Sequence, residues 1–159
     1  AECEEALKDL QKELDIQSLG ELSIEEFNKN EKLIKNEINR KRAKHAIYEN
    51  QRTIKAQKEL MEGNLEEFGR LMNESHVSLR DDYEVTGIEL DTMVEIAWNQ
   101  EGVIGSRMTG AGFGGCTISI VKKNAVDKFI ANVGKEYKER VGLNADFYVV
   151  NISDGAKKL

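Results

Sequence analysis

A short run of glycines between two strand-like segments constrains this chain more than any other feature. Glycines occupy positions 110, 112, 114 and 115, four of six consecutive residues. The preceding segment, Gly102 to Thr109, has a strand-like composition, and Thr117 to Val121 alternates with the period of two that a half-buried strand requires. Because so short a connection joins antiparallel strands, the pattern predicts a β-hairpin with a glycine-rich loop at its tip.

The glycine run is also suited to binding an anion. Glycine adopts positive φ readily, so successive glycines can turn several backbone N–H groups toward one point. Such a nest binds phosphate, and its fixed dipoles stabilise transferring charge without reorienting during the reaction. The alternative is a plain turn without a ligand, although two residues suffice for a tight turn and each ordered glycine adds an entropic cost of roughly 0.5–1 kcal/mol. The residues alone favour a ligand loop and leave the plain turn open.

Residues Gly110 to Gly115 also satisfy the G-x-G-x-x-G pattern of dinucleotide-binding folds. That pattern requires a strand before it, a helix after it, and an acidic residue about twenty positions further on at the end of the next strand. Here a strand follows the glycines, and the acid at roughly that distance, Asp127, falls in a predicted helix. The pattern therefore does not indicate a dinucleotide site.

Helical periodicity dominates the first hundred residues. Ser23 with Glu26, and Thr86 with Glu89, have the spacing of capping boxes and predict two helix starts. Glycine at 63 and at 142 predicts two helix ends. A long helix is predicted from about 30 to 61, with an apolar stripe that should be buried, formed by Ile34, Ile38, Ala46, Ile47, Ile54, Leu60 and Met61.

After Gln100 the order becomes strand, glycine loop, strand, helix and strand. The helix is predicted from about 124 to 140, and the last strand over Phe147 to Ile152. Helices segregated from a small antiparallel sheet define an α+β fold. We expect a ferredoxin-like sheet with several additional helices in a single domain, residues 1–159. Its helical part extends to about 100, and the sheet and glycine-loop part begins at about 101.

Composition excludes several classes of function. The net charge is -6 and the basic residues are dispersed, which argues against nucleic acid as the main partner. No apolar stretch is long enough to span a bilayer, and the acidic first residues do not resemble a secretory signal. Cys3 and Cys116 do not suggest a disulfide framework. A cytoplasmic protein fits best, and the absence of proline and of a starting Met suits a piece of a longer chain.

Residues 105–116, GSRMTGAGFGGC, resemble the third signature motif of the GHMP small-molecule kinases, in the form typical of the galactokinase family. Residues 74–85, ESHVSLRDDYEV, resemble the galactokinase segment that precedes this motif, at the expected distance. Residues 45–53 and 1–4 are similar to further parts of that family. The resemblance covers essentially the whole chain and implies the C-terminal domain of a two-domain kinase.

The resemblance also implies which residues belong to the site. The phosphate and active-site loop would consist of Gly110, Gly112, Gly114 and Gly115, with Ser106, Arg107 and Thr109 on its flank. Arg107 could instead form an ordinary ion pair. The implied cofactors are ATP and Mg²⁺, and the implied substrate is galactose, giving galactose 1-phosphate and ADP.

In the family, this loop closes a cleft formed with an N-terminal kinase domain, which would be the partner here. The family's galactose-gripping motif, central ATP loop and catalytic aspartate have no counterpart in these residues. We therefore expect no catalytic residue in the chain, no tight cofactor binding and no sugar kinase activity from the chain alone. Two alternatives remain: a non-catalytic galactokinase-like sugar sensor, and a free-standing small-ligand-binding domain of the same fold.

A few other residues could carry chemistry. His76 with Asp81 and Asp82 could form an acid–base set, although hydrogen bonds that tie a helix end are the expected role. The only histidines, His45 and His76, are too few for a zinc site, so no metal is expected. Cys116 begins a strand and is expected to be a buried, inert thiol.

Overall fold

The computed structural model describes residues 1–151, and within that range it contains six α-helices and one two-stranded sheet. The α-helices are α1 (Glu2–Leu10), α2 (Ile24–Asn30), α3 (Glu37–Met61), α4 (Leu65–Ser78), α5 (Ile88–Trp98) and α6 (Val126–Val141). Strands β1 (Val103–Thr109) and β2 (Cys116–Val121) pair antiparallel, with Thr109 opposite Cys116 at the loop end. This confirms the α+β class and the predicted hairpin.

The first helices share one core. Ala6 and Leu10 of α1, Phe27 of α2 and Ile47 of α3 are fully buried against one another. The capping box at Ser23 is confirmed: the Glu26 N–H donates to Ser23 Oγ at 3.2 Å, and the Ser23 N–H donates to Glu26 Oε2 at 2.9 Å.

Helix α3 begins later than predicted. Asn36 Oδ1 accepts the N–H groups of Ile38 and Asn39, at 2.8 and 3.2 Å, and this cap starts the helix at Glu37 rather than near residue 30. Part of the predicted stripe is also exposed rather than buried, because periodicity marks an apolar face but cannot say what covers it. The exposed residues are Ile38, Ile54, Leu60 and Met61.

Strand β1 is held on its other edge by helices instead of a third strand. The Ser106 N–H donates to Asn73 Oδ1 at 2.9 Å, and the Trp98 Nε1–H donates to the Ser106 carbonyl at 3.0 Å. The Met108 N–H donates to His76 Nδ1 at 3.1 Å. Side chains of α4 and α5 thus satisfy backbone groups that a neighbouring strand would otherwise pair.

Gly69 allows α4 to approach this edge. A Cβ on Gly69 would overlap the carbonyl oxygen of Ile104 and lie 2.5 Å from its carbonyl carbon. Only glycine at this position therefore allows the close approach of α4 to β1.

Helices α5 and α6 enclose a second core. The predicted helix ends at Gly63 and Gly142 are confirmed by their positive φ of 75° and 82°.

The last strand predicted from the sequence, Phe147 to Ile152, is not formed over the residues of it that the structure describes. Residues 147–151 have no strand pairing, and Ile152 lies outside the described residues. The Phe147 ring packs edge-on against Phe129, while Tyr148, Val149 and Val150 are exposed. β-Branched composition forms a strand only where the segment pairs with a sheet edge, and here Phe147 packs on Phe129 of α6 instead.

The second predicted capping box is wrong. Helix α5 begins at Ile88, with Gly87 at its cap in a positive-φ conformation and no side chain bonded to the first turn. Thr86 lies one residue before the cap and is buried, and its carbonyl accepts a hydrogen bond from the glycine loop described below. Among residues 1–151, no helix is both long enough and apolar enough to cross a bilayer.

Candidate functional site

The glycine loop at the hairpin tip adopts a run of left-handed conformations. Gly110, Gly112 and Gly114 have φ of 76°, 86° and 81°, and Phe113 between them has φ of 55°. Positive φ is uncommon for a bulky side chain such as Phe113, which is also exposed. A loop with this geometry persists only if its surroundings hold it in place.

What holds the loop is the segment that leads into α5. The Phe113 N–H donates to the Val85 carbonyl at 2.8 Å, and the Gly114 N–H donates to the Thr86 carbonyl at 3.4 Å. A Cβ on Gly112 would overlap the Val85 carbonyl oxygen and lie 2.9 Å from the carbonyl carbon. The two motifs singled out in the sequence, 74–85 and 105–116, are therefore in direct backbone contact.

These contacts divide the loop into two halves. The second half is committed to the protein, since the N–H groups of Phe113 and Gly114 bond to Val85 and Thr86 and that of Gly115 bonds to the Gly112 carbonyl. Among the described residues, no acceptor is found for the N–H groups of residues 110, 111 and 112. The φ angle changes sign from residue to residue across these three positions, as in an anion-binding nest.

Charge also favours the first half of the loop for an anion. A Cβ on Gly114 would lie 4.0 Å from Glu89 Oε2, and a Cβ on Gly87 would lie 3.4 Å from the same atom. The Glu89 carboxylate therefore stands beside the second half and would repel a phosphate there. By contrast, nothing lies within 4 Å of the Cβ position of Gly110.

The segment behind the loop is braced by Arg42 of α3, a residue that the sequence did not single out. Its guanidinium donates to the Asp82 carbonyl at 2.6 Å, to Glu84 Oε2 at 2.7 Å and to Glu2 Oε2 at 3.1 Å. Here α4 continues into a π-helical turn, Leu79–Tyr83, which ends at Glu84 with φ of 58°. Such turns occur often near functional sites. No local pattern marks Arg42, because its partners lie about 40 residues away along the chain, Glu2 before it and Asp82 and Glu84 after it.

The predicted flanking residues point in different directions. Ser106 is fully buried, and its Oγ lies 2.8 Å from Ser119 Oγ. Arg107 is one third exposed, forms an ion pair with Glu49 at 3.2 Å, and donates from Nε to the Met108 carbonyl at 3.0 Å. Thr109 is exposed at the end of β1. The contact of Arg107 or Thr109 with a phosphate remains a prediction.

His45, Ser78 and Asp82 form a buried cluster whose composition resembles a nucleophilic triad. The Ser78 hydroxyl has one proton, which it donates to Asp82 Oδ2 at 3.0 Å. His45 Nδ1 lies 3.0 Å from Ser78 Oγ and must therefore be the donor to that oxygen. A general base would have to accept that proton instead. The cluster is therefore structural, as is Asp81, which pairs with Arg80 at 2.8 Å.

The structure also locates the cysteine and the second histidine that were considered from the sequence. Cys116 is exposed, so the expectation of a buried thiol is wrong; it ends the hairpin ladder on a face that no described element covers. Within residues 1–151 no three His, Cys, Asp or Glu side chains converge on a possible metal position. His76 is fully buried between α4 and β1, with Nε2 3.2 Å from Asp91 Oδ1.

Both histidines are kept neutral by their surroundings. Burial lowers the pKa of His45 below its usual value of 6.5, against the opposing effects of Glu49 and Asp82. Burial lowers the pKa of His76 in the same direction, against the opposing effect of Asp91. The arginines that face the two rings also lower these pKa values; they are Arg52, Arg80 and Arg107.

A loss of stability below neutral pH is therefore expected. The unfolded chain takes up protons on histidine near pH 6.5, whereas the native rings resist protonation until lower pH. The free energy of unfolding should accordingly decrease as pH falls from about 7 to about 5.5, before the carboxylates begin to titrate. Urea unfolding across this range measures the effect, and NMR titration of the imidazole protons reports the native pKa values directly. Unfolding free energies that stay constant from about pH 7 to 5.5 would contradict the prediction.

The site is a hairpin loop with three N–H groups that lack an acceptor among the described residues, fixed from behind by α3, the π-helical turn and the start of α5. The family model described as GHMP kinases C terminal matches residues 56–139 of this chain. The chain therefore belongs to the GHMP kinases, through their C-terminal domain family.

Galactokinases are among the proteins that are similar to this chain. The chain is 58% identical over 159 residues to the galactokinase of Clostridium beijerinckii and 60% identical over 158 residues to that of Bacillus subtilis. The crystal structure of Lactococcus lactis galactokinase complexed with galactose matches 99% of the chain at a TM-score of 0.94 and 58% identity. The chain spans 41% of the length of the Clostridium and Lactococcus proteins and 40% of the Bacillus one.

Proposed function

We propose that this chain is the C-terminal domain of a galactokinase, which transfers the γ-phosphate of ATP to galactose. The observation that carries the proposal is the open half of the glycine loop, residues 110–112, whose N–H groups lack acceptors among the described residues. Identity of 58–60% to galactokinases over the length of the chain supports the choice of reaction.

In this proposal the loop works by position and charge. The N–H groups of residues 110–112 would donate to the transferring phosphate, while Gly114 and Gly115 keep the loop docked. Phosphoryl transfer depends mostly on positioning and charge stabilisation. A rigid backbone loop can therefore contribute without a titrating side chain, which suits a segment in which we assign no catalytic residue.

The described residues fit a phosphate better than a metal ion. The loop offers an uncovered cradle at Gly110, where an added Cβ would meet nothing within 4 Å. No cluster of metal-ligating side chains is present in residues 1–151. We infer that the protein ligands of Mg²⁺, and the groups that hold the nucleotide base and the sugar, belong to an N-terminal kinase domain outside this chain. We further infer a cytoplasmic enzyme, in keeping with its two unpaired cysteines.

A coupled assay on the full-length protein that contains this chain tests the proposal. We expect ATP-dependent phosphorylation of galactose, with much slower turnover of glucose and of non-sugar substrates of other GHMP kinases. We expect no turnover by residues 1–159 alone, and ATP affinity in the millimolar range or weaker. Robust turnover by the isolated chain would contradict the proposal that the catalytic groups lie in the N-terminal domain. A full-length protein that prefers another substrate would contradict the galactokinase assignment.

The two alternatives make different predictions in the same experiment. A sugar sensor would bind galactose and ATP in the full-length protein without turnover. A free-standing ligand domain would bind its ligand tightly as the isolated chain.

A further inference from the structure

His76 of helix α4 bonds the backbone of β1 closer to the glycine loop than Asn73, which bonds it at Ser106. Its Nδ1 accepts the Met108 N–H at 3.1 Å, two residues ahead of Gly110. The ring is fully buried and stands edge-on to Trp98, with ring centroids 5.7 Å apart. The proposed phosphoryl transfer does not use this histidine.

The contact with Met108 fixes the tautomer. A backbone N–H can only donate, so His76 Nδ1 must be unprotonated and the ring proton of the neutral imidazole must lie on Nε2. That atom lies 3.2 Å from Asp91 Oδ1, and neither of these two buried atoms has a well-aligned hydrogen-bond partner among the described residues, so the carboxylate acts on the ring through its negative charge. Asp91 therefore stabilises the one tautomer that can accept from Met108.

The consequence for the loop follows from the register of β1. The N–H of residue 108 points away from β2, so β2 cannot hold it, and His76 supplies its acceptor. The Met108 side chain packs with Leu79 and Leu90, which precede and follow the Val85–Gly87 segment. His76 therefore lies where β1, which leads into the glycine loop, packs against the Val85–Gly87 segment on which the loop is docked.

We propose that His76, oriented by Asp91, is a positioning residue for the phosphoryl-transfer step, because it fixes the strand from which the glycine loop departs. The inference rests on the proposed function, and nothing in it requires His76 to touch a substrate. The ring stays neutral because it is buried, which keeps Nδ1 available as an acceptor.

Four variants of the full-length protein test this. His76→Ala removes the acceptor, and His76→Asn replaces it, because the Asn Oδ1 can stand near the Nδ1 position. Asp91→Asn removes the charge that orients the ring. Asp127→Asn is the control, since Asp127 lies in the first turn of α6, as Asp91 does in the first turn of α5, but is exposed.

We expect His76→Ala to lower kcat by about a hundredfold, the scale of a small misplacement of catalytic groups, with both KM values nearly unchanged. His76→Asn should recover most of that loss, Asp91→Asn should fall between them, and Asp127→Asn should match the wild type. Hydrogen exchange of the peptide that spans β1 and the loop should speed up by about tenfold in His76→Ala, the scale of one lost hydrogen bond.

Equal losses of kcat in His76→Ala and His76→Asn would overturn the proposal, as would faster exchange with kcat unchanged, which would indicate a purely structural role. Rates are normalised to the folded fraction, measured by circular dichroism. If the wild-type protein lacks galactokinase activity, the proposed function fails. The exchange measurement would then still decide whether His76 holds β1.

Discussion

Gly112→Ala is expected to lower kcat of the full-length kinase by about a hundredfold or more, the cost of misplacing groups around the reacting atoms by about 1 Å. The new methyl group would overlap the Val85 carbonyl oxygen and could not be accommodated while the Phe113 N–H remains bonded to that carbonyl. The loop would have to detach from the segment that fixes it. The N–H groups of residues 110–112 would then lose their alignment.

The control for this variant is Gly142→Ala. Gly142 has nearly the same φ, 82° against 86° for Gly112, and nothing lies within 4 Å of its Cβ position. Both substitutions carry a left-handed strain of about 1–2 kcal/mol, but only the one at residue 112 creates an overlap. Steady-state kinetics of the two variants separate strain from overlap. A Gly112→Ala enzyme within a few-fold of wild-type kcat would contradict the docking of the loop on Val85.

Gly69→Ala is expected to destabilise the protein by about 3 kcal/mol, the upper range for an overpacked site. The sign is informative, because alanine inside a helix normally stabilises by roughly 0.5–1 kcal/mol relative to glycine. Here the methyl group would overlap the Ile104 carbonyl oxygen and lie 2.8 Å from Ile104 Cγ2, forcing α4 away from β1. For a domain of this size, the loss corresponds to a decrease in Tm of roughly 6–12 °C.

Gly134→Ala in α6 is the matched helical control. Its Cβ would lie 3.2 Å from Phe147 Cε2, the edge of a ring that can shift, so the change should stay within about 1 kcal/mol. Thermal unfolding of both variants against wild type makes the comparison. A Gly69→Ala protein that is as stable as the wild type would show that α4 does not need glycine to approach β1.

The sequence could predict the features that are set by neighbouring residues. The glycine loop, the hairpin around it, the capping box at Ser23 and the helix ends at Gly63 and Gly142 all depend on local spacing or on positive φ, and all were found. Thr86 shows the limit of such reasoning. Its capping spacing with Glu89 is intact, yet α5 starts at Ile88 with Gly87 at the cap. The Thr86 carbonyl accepts from Gly114, a contact 28 residues away that no local pattern reveals.

Contacts between distant segments account for the rest. The resemblance named the glycine loop but did not indicate that Val85 carries it, that Arg42 braces the segment behind it, or that His76 holds β1. The apolar stripe of α3 was found correctly as a pattern, but its far end at Ile54, Leu60 and Met61 is exposed. Burial depends on what covers a face, and that information lies elsewhere in the chain or outside it.

The side chains of Asn73, His76 and Trp98 occupy the outer edge of β1, so within residues 1–151 only the outer edge of β2 is free to pair with another strand. A foreign strand could add beside β1 only by displacing three hydrogen bonds made by packed helices. Unprotected edges are where chains join in edge-to-edge aggregation. Growth of this sheet, whether by a native strand or by an aggregating neighbour, is therefore directed to β2.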